Sequence, residues 1–247
     1  MHQTLTRTAK ELSWLFATQM GADRKQNKDL YALIDRGNFN LVIAFDVSTS
    51  SPATTEMAKF FFEIVIQELN SIEQSHLTEN IVEHILQLGF KETKAKYKIG
   101  KASLLVIGTF NSGESVFCFH TGDIRLGNWK KDKSINWLTN VHTGANPLGE
   151  PFVQSMLKDE NRKIVTRCFN LQKTFLLDYK KVTEVDCRLI IATDGFWAEC
   201  DNEKQQAIIE GSEFSVQDDL SVLVLTWDRD DKLPCNRNGL LILWYPQ

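Results

Sequence analysis

The chain has little of what marks many protein classes by composition. Its 247 residues hold five cysteines (Cys118, Cys168, Cys187, Cys200 and Cys235), odd in number and far apart. No Cys-x-x-Cys pair occurs, so neither a redox motif nor a thiolate zinc site is present. The thiols read as reduced, as in a reducing compartment. The five histidines offer no His-x-x-x-His spacing for zinc. Positive charge is not in excess either, and a formal net charge of -4 argues against a nucleic-acid partner. Apolar runs are broken by charges within about ten residues, far short of a membrane span. The stretch Met1 to Lys10 has no apolar core of the secretory kind. A cytoplasmic protein that does not engage membranes is expected. Repeats, low-complexity tracts and linkers rich in Gly, Ser or Pro are absent, which makes one domain over residues 1–247 the economical expectation.

Three catalytic signatures are missing as well. Gly100-Lys101-Ala102 has the ending of a phosphate-binding loop but lacks the upstream glycine and the strand–loop–helix setting. No Gly-x-Ser-x-Gly elbow offers an acyl-transfer serine. No Gly-x-Gly-x-x-Gly opens a helix for a dinucleotide.

What is there is an ordinary globular balance of 43% hydrophobic and 24% charged residues. Residues 14–36 read as two short strands around Gly21 to Asp29, and Leu41–Phe45 as a buried strand. Ser48 to Pro52 reads as a turn, with Pro52 where a helix can begin. A strongly apolar helix is expected from Thr54 to Asn70. Met57, Phe61, Ile64, Val65 and Leu69 lie on one face, with Phe60, Phe62 and Ile66 on a second. A second helix spans about 77–89 on Leu77, Ile81, Ile85 and Leu88. Lys91, Lys94, Lys96, Lys98 and Lys101 read as a solvated link. Period-two patterning then predicts strands at 102–110, 115–126, 164–169, 173–179, 187–193 and 220–227, with a short helix near 202–210. Strands with helices inserted in pairs point to an α+β fold whose helices pack outside sheets.

Four aspartates stand at the ends of these apolar runs: Asp46, Asp123, Asp194 and Asp218. Each taken singly is an ordinary turn former or helix cap. Four together are costly to bury unpaired, and they make sense around a shared cation. Hard divalent ions such as Mg2+ or Mn2+ take oxygen ligands of this kind. His120, three residues before Asp123, reads as a strand residue and not a ligand.

The order and context of these residues resemble the metal-dependent protein Ser/Thr phosphatases of the PPM (type 2C) family. Gly21-Ala-Asp-Arg24-Lys-Gln-Asn27-Lys-Asp29 resembles the family's opening Gly-x-x-Arg-x-x-Asn-x-Asp. Phe45-Asp46-Val47 stands where the family has its Asp-Gly. Gly122-Asp123-Ile-Arg125 is similar to Gly-Asp-Ser-Arg. Ala192-Thr-Asp194-Gly-Phe-Trp197 and Asp218-Asp219-Leu-Ser-Val222 resemble the last two motifs, Ser-Asp-Gly-Leu/Val-Trp and Asp-Asn-x-Ser/Thr-Val. Five weak motifs in family order make a fairly specific signal.

The resemblance implies a four-layer α–β–β–α sandwich with two central antiparallel sheets and metals in a cleft at one end. It implies that Asp46, Asp194 and Asp218, with the Val47 carbonyl, hold two Mn2+ or Mg2+ ions. Asp123 would share a third, weaker ion with Asp194. Asp29, with Asn27, would act through metal-bound water, and Arg24 would bind the substrate phosphate. The implied substrate is a phosphorylated protein, supplied by a partner Ser/Thr kinase, and the expected state is a monomer. The chemistry suits the residue types. Two cations roughly 3.5–4 Å apart can acidify a bridging water for in-line attack, and an arginine fork suits phosphate oxygens. From residue type alone Arg24 reads as a surface ion pair with Asp23 or Asp29, and only its place in the motif points to phosphate.

The chain departs from the pattern after Asp46, where Val47-Ser48-Thr49-Ser50-Ser51 replaces a glycine-rich run. A valine keeps the carbonyl but not the backbone freedom of glycine. Ser48 stands where some members carry a histidine, and Asp219 replaces an asparagine. These departures leave a second expectation: a phosphatase-fold regulatory or binding protein with weak or no turnover.

Overall fold

Alternate residues of one strand belong to two different cores. In β3 (Phe39–Val47), Phe39, Leu41, Ile43, Phe45 and Val47 enter one apolar cluster, while Val42 and Ala44 enter another. That is the period-two geometry of a strand buried on both faces. The computed structural model describes residues 13–22, 24–36, 39–48, 55–110, 115–182, 188–212, 215–226 and 241–244. Within them β1 is Ser13–Gln19 and β2 is Asp29–Asp35. Two helices follow β3: α1 (Thr55–Ser71) and α2 (Glu79–Lys96). Next come β4 (Lys101–Phe110), β5 (Ser115–Thr121), β6 (Arg125–Trp129) and β7 (Ile135–Trp137). After two 3-10 turns the chain makes β8 (Phe169–Asn170), β9 (Asp178–Val182) and β10 (Arg188–Ala192). It ends through α3 (Asp194–Trp197), α4 (Asn202–Ile209), β11 (Leu220–Thr226) and β12 (Leu241–Trp244).

The strands form two sheets. One has the order β1-β11-β10-β6-β7, and the other runs β12-β2-β3-β4-β5-β9 with β8 also on β4. All pairings are antiparallel except β12 against β2. Tyr31, Val42, Leu105, Ile107, Leu189, Ile191 and Leu223 fill the layer between the sheets. The outer face of the larger sheet packs on α1 and α2, and that of the smaller on α3 and α4. The result is the expected α–β–β–α sandwich.

Four details differ from the sequence reading. The basic stretch is no link: Lys91, Lys94 and Lys96 lie in the last turns of α2, which runs well past residue 89. The apolar face continues through Val82, Leu86, Phe90 and Thr93, and lysines near a C-terminus favour the helix dipole. The α1 helix has one wide buried face, with Phe60 and Ile64 only half-buried at its flank. The expected strand 115–126 is two strands, because Gly122-Asp123 carries the chain from one sheet to the other. The runs 164–169 and 173–179 are mostly loop, with strand only at Phe169–Asn170 and from Asp178. The turn at 49–52 lies outside the described residues, as do Asp23, Cys187 and Cys235. Cys118, Cys168 and Cys200 are free thiols. No described helix is long and apolar enough to cross a membrane.

Candidate active site

The layer between the sheets is apolar along its length and turns polar at one end. Residues 29, 31 and 33 of β2 share a face, as do 42, 44 and 46 of β3 and 103, 105 and 107 of β4. Period two therefore places Asp29, Asp46 and Ser103 on the inter-sheet face, beyond Tyr31, Ala44 and Leu105. The register makes Asp29 the cross-strand partner of Asp46, and Asp46 that of Ser103. Thr18 and Ser221 take the same position on the facing sheet, and their hydroxyls meet at 2.8 Å. Ordinary strand geometry thus gathers residues that lie far apart in sequence.

Asp46, Asp123, Asp194 and Asp218 line one cleft of about 370 Å³, together with Arg24, Ser48, Lys101, Ser103 and Lys163. Asp46 closes β3, and Val47 beyond it is buried against the helices as an ordinary strand residue. Lys133 is the one non-glycine with positive φ among the described residues, so the valine brings no backbone strain. Asp123 sits in the crossover between sheets. Gly122 has φ +104 there, and a Cβ on it would stand 2.6 Å from the Ser103 Cα, so this turn requires glycine. The Ser103 hydroxyl donates to the Asp123 carboxylate and accepts from the Asp123 N–H, and the Trp197 indole donates to the Asp123 carbonyl at 2.8 Å. Asp194 opens α3, and Asp218 precedes β11.

Burial pushes the Asp46 carboxyl well above its usual range, and the charges of Asp29, Asp123, Asp194 and Asp218 add to the shift. Burial likewise lifts Asp194, with Asp123 and Asp218 pushing further and Arg162 pulling back. Asp123 is raised by burial against the hydrogen bond from Ser103. Asp29 rises to about 7, chiefly by burial, although hydrogen bonds to Ser221 and Thr193 oppose it. Its Oδ2 accepts from the Thr193 hydroxyl at 3.0 Å, while its buried Oδ1 has no partner among the described residues. Asn27 holds the loop in front of it, donating to Thr18 at 2.8 Å and accepting from the Asp29 N–H at 2.9 Å.

Two arginines pair with carboxylates of the cleft. Arg24 donates to Asp218 Oδ1 through Nε at 2.9 Å and through Nη2. Burial opposes its charge, but Asp218, with Asp219 and Asp194 behind it, outweighs that and holds its pKa above the ordinary value. Its ion-pair partner is therefore Asp218, with Asp23 outside the described residues. Arg162, almost fully buried, reaches Asp194 Oδ2 at 3.3 Å. With these pairs in place, no three His, Cys, Asp or Glu side chains among the described residues are drawn together ready to grip an ion. The donor set nonetheless suits a hard divalent cation. It consists of oxygens, burial and mutual repulsion push Asp46, Asp123 and Asp194 toward neutrality, and the Asp29 oxygen behind them lacks a partner.

Sequence reasoning missed several supports. Asp219 accepts from the Gly21 N–H and the Lys28 N–H, each at 3.0 Å, and so pins both ends of the loop that carries Arg24. A Cβ on Gly21 would stand 2.4 Å from the Gln217 carbonyl, which explains a glycine at this close approach. Ser103 was legible as a polar residue at an inward strand position, but nothing in the sequence pointed to Arg162. His120 is the strand residue expected, stacked on His142 at 5.2 Å with its pKa pushed down to about 4 by burial.

No family model and no curated protein sequence matches the chain. Solved structures do. A serine/threonine phosphatase from Staphylococcus aureus superposes with a TM-score of 0.70 at 16% identity, over 92% of this chain and 99% of that one. A PPM Ser-Thr phosphatase from Mycobacterium smegmatis, solved with cacodylate, gives 0.63 at 17% identity over 87% and 97%. The catalytic domain of the phosphatase PstP, solved with two manganese ions, gives 0.60 at 14% over 87% and 97%. The fold is that of the bacterial PPM-type Ser/Thr phosphatases.

Proposed function

We propose that the chain is a metal-dependent phosphatase that hydrolyses phosphoserine and phosphothreonine in proteins. The observation that carries this reading is the convergence of Asp46, Asp123, Asp194 and Asp218, from four separate segments, on one cleft. Likeness in fold to a phosphatase solved with two manganese ions supports it. Asp46, Asp194 and Asp218, with the Val47 carbonyl, would hold two divalent ions, and Asp123 with Asp194 a third, weaker one. Bound there, Mn2+ or Mg2+ supplies Lewis-acid activation of water and neutralises phosphoryl charge.

The remaining work falls to the chain's own side chains. With Asp218 serving as a metal ligand, the planar fork of Arg24 would be free to bind the phosphate oxygens. Asp29, fixed by Thr193 and Asn27, offers its unpartnered Oδ1 to water at the mouth of the layer. Trp197 and Ser103 hold Asp123 in place. Phosphoryl transfer asks mainly for such positioning and electrostatic stabilisation. The protein works as one domain and as a monomer in the cytoplasm, opposite a Ser/Thr kinase.

The Arg24–Asp218 and Arg162–Asp194 pairs favour a second reading, in which the fold serves a regulatory or binding role with weak or no turnover. Phosphate release from a phosphothreonine peptide, with Mn2+ or with EDTA, separates the two. The enzyme reading expects release with Mn2+ alone; no release under either condition favours the regulatory reading.

A further inference from the structure

The acidic cleft opens into a groove of the opposite sign. It shares Lys101, Val165 and Cys168 with a neighbouring hollow of about 530 Å³. That hollow shares Lys173 and Thr174 with a third, of about 550 Å³, which reaches α2. Their walls carry Lys101, Arg167, Lys173, Lys91 and Lys94, and not one carboxylate. In a molecule of net charge -4 this is a local reversal. Arg167 is partly spoken for, since it pairs with Asp178 and touches His142. Lys94 leans over the Phe90 ring and reaches the Lys173 carbonyl at 3.5 Å. Lys91, Lys101 and Lys173 are exposed and have no ion-pair partner among the described residues. Both Lys101 and Lys173 lie close enough to Cys168 to pull its thiol down against burial.

A concave basic track whose Lys91, Lys101 and Lys173 carry no ion-pair partner among the described residues, and which begins at a phosphate-handling cleft, is complementary to a negatively charged segment threading away from that cleft. We propose that this groove holds acidic residues flanking the phosphorylated serine or threonine of a substrate polypeptide. The chain then selects phosphosites with Asp or Glu a few positions away. The proposal rests on the phosphatase reading for what occupies the cleft, but not on turnover. Exposed charge pairs are individually weak, so several together give a preference of roughly tenfold. Because these charges face solvent, the preference fades as salt shortens the screening length.

The test measures binding and not catalysis. Two fluorescein-labelled peptides that carry a non-hydrolysable phosphonate mimic of phosphothreonine, identical except for Glu or Lys flanks, are titrated with the protein in Mn2+ and followed by anisotropy. The expected result is tighter binding of the Glu-flanked peptide by roughly tenfold at low salt. That preference should be erased in the double variant Lys91→Glu/Lys173→Glu and diminished in Lys91→Ala/Lys173→Ala. Equal binding of the two peptides, or a preference that survives charge reversal, overturns the proposal. So does equal competition by a single-stranded oligonucleotide of the same charge, which would mark a general polyanion surface. Since the mimic cannot be cleaved, failure to hydrolyse any phosphoester would sink the enzyme reading and leave this measurement intact.

Discussion

Asp219 stands where the sequence pattern leads one to expect asparagine, and its surroundings explain the difference. Both carboxylate oxygens accept backbone N–H groups, one from Gly21 and one from Lys28. An asparagine keeps one acceptor and turns an NH2 toward the other N–H. Leaving a buried donor unsatisfied costs about 1–3 kcal/mol, so Asp219→Asn should lower stability by about that much in urea unfolding. An unchanged midpoint would show that the clamp contributes nothing. Arg24 poses a different question, because its ion pair with Asp218 is half-exposed and such pairs contribute little to stability. Arg24→Ala should therefore leave the unfolding midpoint nearly unchanged and raise KM for a phosphoester, since the fork is proposed to bind phosphate. A variant with unaltered KM and kcat returns Arg24 to a structural pair with Asp218.

At the scale of elements, β3 is held by aromatic packing directly behind its aspartate. Phe45 meets Phe61, Phe62 and Phe169 edge-to-face, with ring centroids 5.1 to 5.6 Å apart. Removing such a ring costs about 3–5 kcal/mol, so Phe45→Ala should show a loss of that order in urea unfolding. A loss below about 1 kcal/mol would mean the cluster does not anchor the strand. This strand was legible in the sequence because Leu41–Phe45 is an unbroken apolar run of strand length, and α1 because its apolar spacing is helical. The far end of α2 was not legible. Lysines at 91, 94 and 96 read as a link only until Phe90 and Thr93 are seen to continue the buried face. The break at Gly122-Asp123 was hidden for a related reason, since the chain stays buried on both sides of it and only pairing with different sheets separates the two strands. The aspartates were legible as strand-end charges. Arg162 was not, because nothing local distinguishes a buried arginine on a 3-10 turn from a solvated one.

For the molecule as a whole, the buried carboxylates of the cleft should make stability depend on pH and, if the proposed ions bind, on cations as well. Asp29, Asp46, Asp123 and Asp194 all have raised pKa values in the fold, Asp29 to about 7 against 3.8 for a free carboxyl. A raised folded pKa gives stability present below the unfolded value and lost as pH rises through the folded one. His120, lowered to about 4 from 6.5, works in the opposite direction, but only below pH 6.5. The metal-free protein should therefore melt at lower temperature as pH rises from 6.5 to about 8, and Mn2+ should restore more at the upper end, where the carboxylates ionise. A melting temperature that rises over this range without metal would contradict the electrostatics of the cleft.

The central claim is that the converging aspartates hold cations that activate water against a phosphoester. It is tested most directly by the initial rate of aryl phosphate hydrolysis as a function of Mn2+, for the natural chain and for Asp194→Asn. The account predicts a rate that saturates with Mn2+, vanishes in EDTA and is abolished in the variant at every Mn2+ concentration. A rate indifferent to EDTA, or one that survives loss of the Asp194 carboxylate, would contradict it.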